Sequence, residues 1–414
     1  MFWGKEKNMG IFNSRDNLGA HSRGMLGGNE ESGKITLRAL ALLSATVLST
    51  SLSLSTLIAQ RGDSALLISW LTCVLCATVI FLTSEKFSHA IIKVLLLGLS
   101  ISFFSYPMIP AILFGGIISV GAFSAITCSA KKSEIILPIL LPIISYTFSL
   151  ALTADPIISL FSVTVYLPAI AIGLTARHKA GMTTSTVSGA AVFFLIAAGG
   201  FALILDNYYG EVSVKALNAL VDEFTLITLD YTKKSFELVG EIEYTPVIEK
   251  ALILAIDTYV SVAVGLVIAI CSLLSYSAVK VKNSLFYAYG VDEHLSSNAT
   301  TLSVSVAAAS IFSVSFVLSF AIDSSNRPSL FAIICTNICI ILTPGLAVMG
   351  VRAIKAAPKR FGARGALLSI ALVIAAVLLL AVEPLTLPLV GAIYVILGAI
   401  DLWAKDFYGK GENK

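Results

Sequence analysis

At 414 residues, 57% of them apolar and only 13% charged, the chain carries about half the charge of an average soluble domain, and its mean hydropathy is +0.90. That composition excludes a water-soluble globule, which cannot hide so much apolar surface, and calls for a lipid bilayer as the solvent of its outer faces. A net charge of only +3 gives no electrostatic footprint for a nucleic acid, so no nucleic-acid partner is expected.

The first 34 residues are polar, rich in Gly and Asn, and carry charges of both signs. A secretory leader has a short basic start followed by an apolar stretch. This segment is longer and more polar, and 1–34 reads as a disordered cytoplasmic tail. Beyond it, apolar runs of about 20 residues, the length that crosses the hydrocarbon core, predict spans at 36–59, 64–84, 89–106, 108–130, 135–154, 157–175, 185–205, 251–278, 299–321, 329–350, 365–382 and 385–402. The pair 135–154 and 157–175 is separated only by Ala154-Asp155-Pro156 and contains Pro138, Pro142 and Pro168. It reads equally as a broken or re-entrant element, which gives 10 to 12 spans and leaves the parity unchanged. The expected fold class is all-α: a polytopic transmembrane helix bundle of about 12 spans, with both termini cytoplasmic and one outer amphipathic helix. The expected organisation is the tail 1–34, an N-terminal bundle at 35–205, an outer segment at 206–250, C-terminal transmembrane helices at 251–405 and a short cytoplasmic tail at 406–414.

Orientation follows from Lys and Arg, which cytoplasmic loops retain. With the N-terminus inside, only Arg61, Lys215, Lys233, Lys234, Lys250 and Arg327 fall outside, and the other 22 of the 28 basic residues fall inside. A wrong number of spans would scramble this alternation. The expected location is a multi-pass position in a cell membrane, the inner or plasma membrane of a bacterium.

The one long outer segment, 206–250, is acidic: nine Asp and Glu residues stand against four lysines. Within it Val214, Leu217, Val221, Phe224, Ile227 and Tyr231 recur at steps of three and four, the stripe of an amphipathic helix. A helix over 213–239 is expected, with Leu217, Val221 and Phe224 against membrane or bundle and Asp222 and Glu223 in water. Its acidic face argues against attraction to anionic lipid.

No enzyme signature is present. There is no GxxxxGK[ST] loop and no HExxH, and the four histidines, His21, His89, His178 and His294, are far apart. Cys73 and Cys76 form a CxxC, but inside an apolar run with no flanking His or acid, so they and the other four cysteines read as small core residues. No catalytic residue, metal or cofactor is expected. Arg38, Lys93, Asp401 and Glu383 lie near span ends, where snorkelling accommodates charge. Asp257 differs, because it lies about two turns inside its span, at a depth of roughly 10 Å. An ionisable group at such a depth is a candidate ligand-binding residue, for a cation or an amine, unless it reaches the headgroups or pairs with a lysine. Ala41 and Ala45 form an AxxxA in the first span, a face that lets two helices approach closely, within this chain by default or against a partner.

The C-terminal third carries Thr336-Asn337-Ile338-Cys339, then Pro344-Gly345-Leu346-Ala347-Val348, a basic loop, a hydrophobic hairpin and Gly398-Ala399-Ile400-Asp401-Leu402-Trp403. This arrangement resembles the end of the YybS-like bacterial membrane proteins, known as domain of unknown function 2232, and the similarity of layout extends over residues 35–405. The resemblance implies an N-terminal half similar to the S-components of energy-coupling-factor transporters, which dock on a transmembrane subunit through small residues of the first helix. Ala41 and Ala45 match that pattern. The expected function is therefore non-enzymatic: binding a small-molecule solute, or helping to move it, with a membrane protein partner. The rival expectations are a scaffold or assembly factor for cell-envelope machinery, with the outer helix as the contact, and a stand-alone secondary transporter.

Overall fold

In the computed structural model, residues 37–84, 86–104, 106–129, 136–178, 180–239, 245–289, 302, 304–319, 329–382 and 387–409 are described. The tail at 1–34, residues 410–414, His21, His294 and Glu383 lie outside the described residues. Each apolar stretch is helical in whole or in part, and no strand occurs among the described residues. In chain order the helices are α1 (Leu37–Ile58), α2 (Gly62–Thr83), α3 (Phe87–Phe103), α4 (Met108–Ser129), α5 (Ile136–Thr153), α6 (Pro156–Thr164), α7 (Tyr166–Arg177), α8 (Met182–Tyr209), α9 (Val214–Val239), α10 (Pro246–Tyr289), α11 (Val306–Leu318), α12 (Leu330–Val382) and α13 (Leu387–Gly409). Among the described residues, eight helical stretches are long and apolar enough to cross a membrane: α1, α2, α4, α5, Pro156–Arg177, α8, α10 and Leu330–Pro358. Four more apolar helices are shorter, at Phe87–Phe103, Val306–Leu318, Gly362–Ala375 and Gly391–Leu402.

Local chemistry sets the boundaries. Between α5 and α6, Ala154 takes φ 57°. Asp155 then caps α6 by accepting from the N–H groups of Ile157 and Ile158 at 2.7 and 3.1 Å, with Pro156 in the first helical position, where a missing N–H costs nothing. The segment 157–175 is thus separate from 135–154, and it is itself interrupted at Val165. Pro168 explains the interruption, since it has no N–H to give the Thr164 carbonyl. Ser213 opens α9 by accepting from the Ala216 N–H at 3.1 Å. α10 runs on to Tyr289, beyond the apolar stretch that ends at 278, because no Gly or Pro occurs from Leu266 to Tyr289 to stop it. In α12 the direction changes at Gly362, whose φ of 56° favours glycine. The two arms lie side by side there, with the Ser369 hydroxyl donating to the Ile354 carbonyl at 2.9 Å.

The chain forms two compact units, residues 1–192 with 274–301 and residues 193–273 with 302–414. The division falls within α8 and α10. In the first unit α1 is central and packs on α2, α4, α5 and α6, while α4 also packs on α7. Large apolar residues such as Leu67, Trp70, Leu71 and Val74 of α2 point outward. The interior is instead rich in small and hydroxyl-bearing residues, as expected where lipid removes the hydrophobic incentive to pack leucines inward. At the crossing of α1, α2 and α4, a Cβ on Gly115 would lie 2.8 Å from Thr72 Cγ2 and 3.1 Å from Thr50 Oγ1. In the second unit α11, α12 and α13 share a core of Ala309, Leu346, Met349, Val395, Ala399 and Leu402. There α12 and α13 touch backbone to backbone. A Cβ on Gly350 would collide with the Tyr394 carbonyl oxygen, and one on Gly398 with the Leu346 carbonyl oxygen.

Candidate functional site

The first unit encloses an interior lined by hydroxyls. On α1, Thr46, Ser49, Thr50, Ser51, Ser53, Ser55 and Thr56 are all buried. Several donate to carbonyls three or four residues back, as Thr50 does to Thr46 at 2.9 Å and Thr56 to Leu52 at 2.8 Å. Others bridge helices. Toward α2 and α4, Thr50 meets Ser119 at 2.7 Å, Ser119 donates to the Thr46 carbonyl at 3.2 Å, and Ser53 meets Thr72 at 3.0 Å. Toward α5 and α6, Ser51 meets Ser145 at 2.5 Å and Ser145 donates to the Ser162 carbonyl at 3.4 Å. Further along, Thr153 meets Ser159 at 3.1 Å.

Among the described residues, the hydroxyls of Ser69, Ser149 and Tyr166, each 0% exposed, make no hydrogen bond, and the buried hydroxyls of Ser44 and Thr186 make none either. Tyr166 is the most telling. Its ring stacks edge-on against Phe123, with centroids 4.8 Å apart, which fixes the phenol in place. Its hydroxyl sits beside Ser51 and Ser145 without good hydrogen-bond geometry to either. Buried polar groups are almost always satisfied by protein or by ordered water, so these hydroxyls are the unmet hydrogen-bonding groups of the interior. The buried polar residues of α1 to α7 are all uncharged. Such a lining donates and accepts hydrogen bonds but offers no counter-ion, and it suits a neutral solute with hydroxyl, amide or ring-nitrogen groups.

The residues singled out from sequence are placed differently. Asp257 is on an exposed side of α10, with Thr258 and Tyr259 exposed beside it. It has no hydrogen-bond or ion-pair partner among the described residues. Ala41 and Ala45 are exposed on α1 and make no close helix contact among the described residues, where the hydroxyl face of the same helix turns inward. On α9, Leu217 and Val221 are half-buried and Asp222 and Glu223 exposed, as expected, but Phe224 is 57% exposed. The covered face is centred on Val221, Thr225 and Thr228, and Phe224, Ile227 and Tyr231 form an open apolar strip along its edge. Asp401 does not snorkel. It is 7% exposed and engaged with a partner. All six cysteines are free and buried.

Two features escaped the reading of the sequence. In the second unit, the Asn337 carboxamide bridges one turn of α10: the Gly265 N–H donates to Oδ1 at 2.8 Å, and Nδ2 donates to the Ser261 carbonyl at 3.0 Å. Nδ2 also donates to the Ile333 carbonyl at 3.0 Å. A Cβ on Gly265 would lie 2.6 Å from Oδ1, so only glycine admits this contact. In the first unit, Lys282 is 2% exposed, although its place after an apolar run suggested a loop charge.

No family model, no curated protein and no solved structure matches the chain.

Proposed function

We propose that this is a non-enzymatic, multi-pass membrane protein whose first unit binds a small uncharged solute through hydrogen bonds, either to carry it or to pass it to a partner. The observation that carries the reading is the set of fully buried, unpartnered hydroxyls of Tyr166, Ser149 and Ser69, in an interior with no buried charge on α1 to α7. In the arrangement we favour, all twelve apolar stretches cross a bacterial cell membrane and both termini are cytoplasmic. The distribution of basic residues supports that orientation. Cysteine labels at positions 33 and 410 then react only from inside, and one at 225 only from outside. Resemblance to the YybS-like proteins, and through them to S-components, supports the solute-binding reading. The exposed Ala41 and Ala45 are the surface a coupling partner would use.

The test is native mass spectrometry of the full chain released from mild detergent, with identification of any bound small molecule. The reading expects a neutral solute with several hydrogen-bonding groups, retained by the wild type and lost from Tyr166→Phe while that variant keeps its helical content and elution profile. Equal recovery from both proteins, or no bound molecule from a membrane extract, overturns it. A second reading, a scaffold for cell-envelope machinery, draws on the open apolar sector of α9 at Phe224, Ile227 and Tyr231. It is favoured if envelope proteins co-purify and are lost on Ile227→Asp.

A further inference from the structure

The first arm of α12, Leu330–Pro358, has 29 residues, about 44 Å of helix at 1.5 Å per residue. That exceeds the hydrocarbon core of about 30 Å and matches the whole bilayer with its headgroups, about 40–45 Å. The last turns of the arm therefore stand among headgroups, and the chain turns back just beyond them at Gly362. In the second arm the Ser369 hydroxyl lies 2.9 Å from the Ile354 carbonyl oxygen and 2.8 Å from the Gly365 carbonyl oxygen. Those two carbonyls are thus within about 6 Å of each other. The residues next to them in the chain are Lys355 and Arg364, so the hairpin brings both cations to one end. Both are exposed, and among the described residues neither has a hydrogen-bond or ion-pair partner. Arg352, further in, is half-buried and already donates to the Leu302 carbonyl at 2.6 Å. The sequence adds Lys359 and Arg360 between Lys355 and Arg364, and no Asp or Glu occurs from Leu330 to Val382.

What lies beside these cations decides which anion they suit. Residues three and four apart share a helix face, which puts Val351 beside Lys355, and Leu367 and Leu368 beside Arg364. All three apolar side chains are exposed. On each arm, then, an open cation at the turn gives way to open apolar surface toward the membrane interior. A nucleic acid or an acidic protein segment would use the charges and leave the apolar part bare. A phospholipid meets both, with its phosphate on the cations and its acyl chains on the apolar side chains.

We propose that the Gly362 hairpin is a docking surface for anionic phospholipid, with Lys355 and Arg364 on the headgroup phosphate and Val351, Leu367 and Leu368 along the acyl chains. Lys supplies a compact charge, and Arg a planar fork that matches two phosphate oxygens. A zwitterionic lipid carries its own cation to this surface and gains little. In the orientation proposed above, the hairpin meets the cytoplasmic leaflet, whose surface is negative. The surface belongs to the second unit, so its test is independent of the solute reading of the first.

The test is native mass spectrometry of the purified full chain, equilibrated in detergent with equal amounts of phosphatidylglycerol and phosphatidylcholine, with the retained lipids counted. The wild type should retain phosphatidylglycerol in excess. One Lys or Arg near an anionic surface is worth about a fivefold change in binding. Lys355→Gln and Arg364→Gln should therefore each lower the excess about fivefold and leave phosphatidylcholine retention unchanged. Both side chains are exposed, so the variants should keep the helical content and elution profile of the wild type. Lys234→Gln, on the exposed side of α9, is the control for net charge and should leave the excess as it is. No excess in the wild type, or an equal excess in the wild type and the Lys355→Gln, Arg364→Gln double variant, overturns the proposal. Binding of polyadenylate or polyglutamate by the lipid-free wild type, lost from the double variant and without a phosphatidylglycerol excess, assigns the surface to a macromolecule and overturns it as well.

Discussion

Gly350→Ala tests whether α12 and α13 meet backbone to backbone. The new methyl would collide with the Tyr394 carbonyl oxygen and lie 2.8 Å from the carbonyl carbon and 3.2 Å from Cα of Tyr394. None of these atoms can rotate away, so α13 has to withdraw by roughly 1 Å to restore ordinary contact. A gap of that size forfeits a quarter to a half of each dispersion contact of about 0.1–0.2 kcal/mol. Over some ~40 atom pairs at such a crossing, the loss is about 2–3 kcal/mol, within the usual range for overpacking. The better helix propensity of alanine returns about 1 kcal/mol, which leaves a net destabilisation of about 1–2 kcal/mol. The assay is reversible unfolding of the purified protein in mixed micelles of increasing denaturing-detergent content. Gly391→Ala is the internal control: it lies on the same helix α13 with nothing within 4 Å of its Cβ position, so it should be neutral or stabilising. If Gly350→Ala unfolds at the same point as Gly391→Ala, the helices are not in direct backbone contact and the reasoning fails.

Other substitutions probe the remaining features. Asn337→Ala removes three hydrogen bonds and, at about 0.6 kcal/mol each in a membrane, should lower stability by about 2 kcal/mol in the same unfolding assay; an unchanged midpoint would mean that the carboxamide contributes nothing to the packing of α12 on α10. Ala41→Leu should leave the midpoint of the isolated chain unchanged, since Ala41 is exposed, and reduce only the recovery of a membrane partner; a lowered midpoint would show that this face packs inside the chain after all. Asp257→Asn should alter neither the midpoint nor solute recovery by mass spectrometry, because its carboxylate has no hydrogen-bond or ion-pair partner among the described residues, and loss of the solute would place Asp257 in the binding site.

The helices were legible because their signal is simple: long apolar runs must be helical in lipid, where every peptide group needs an internal partner. The Asp155-Pro156 boundary and the Ser213 start were legible for the same kind of reason, since a cap and a proline act locally. Orientation around each helix axis was harder to read. In water an apolar stripe marks the buried face, but in lipid both faces are apolar enough, and small and hydroxyl residues decide. On α1 the Ser and Thr residues at Thr46, Ser49, Thr50, Ser53 and Thr56 repeat at three- and four-residue steps and mark the inward face. That pattern was present in the sequence and outweighed the AxxxA of Ala41 and Ala45. The burial of Lys282 was not legible because an apolar window ends at the first charges, whereas a helix ends only where something stops it, and α10 has no stop before Tyr289. The role of Asn337 depends on a partner 72 residues away at Gly265, and no local rule reaches that far.

The Asn337 bridge also changes what α10 can do as a mechanical element. A helical turn in hydrocarbon ordinarily resists bending, because opening it strands a carbonyl and an amide with no water to receive them. Ser261 and Gly265 are a carbonyl and an amide four residues apart, the two ends of one such turn, and both already touch the same carboxamide. If that turn opens, neither group is stranded. Asn337 thus acts as a spare link laid across a single rung of a ladder, and it lowers the cost of opening this 44-residue rod at the level of Gly265 under a sideways load.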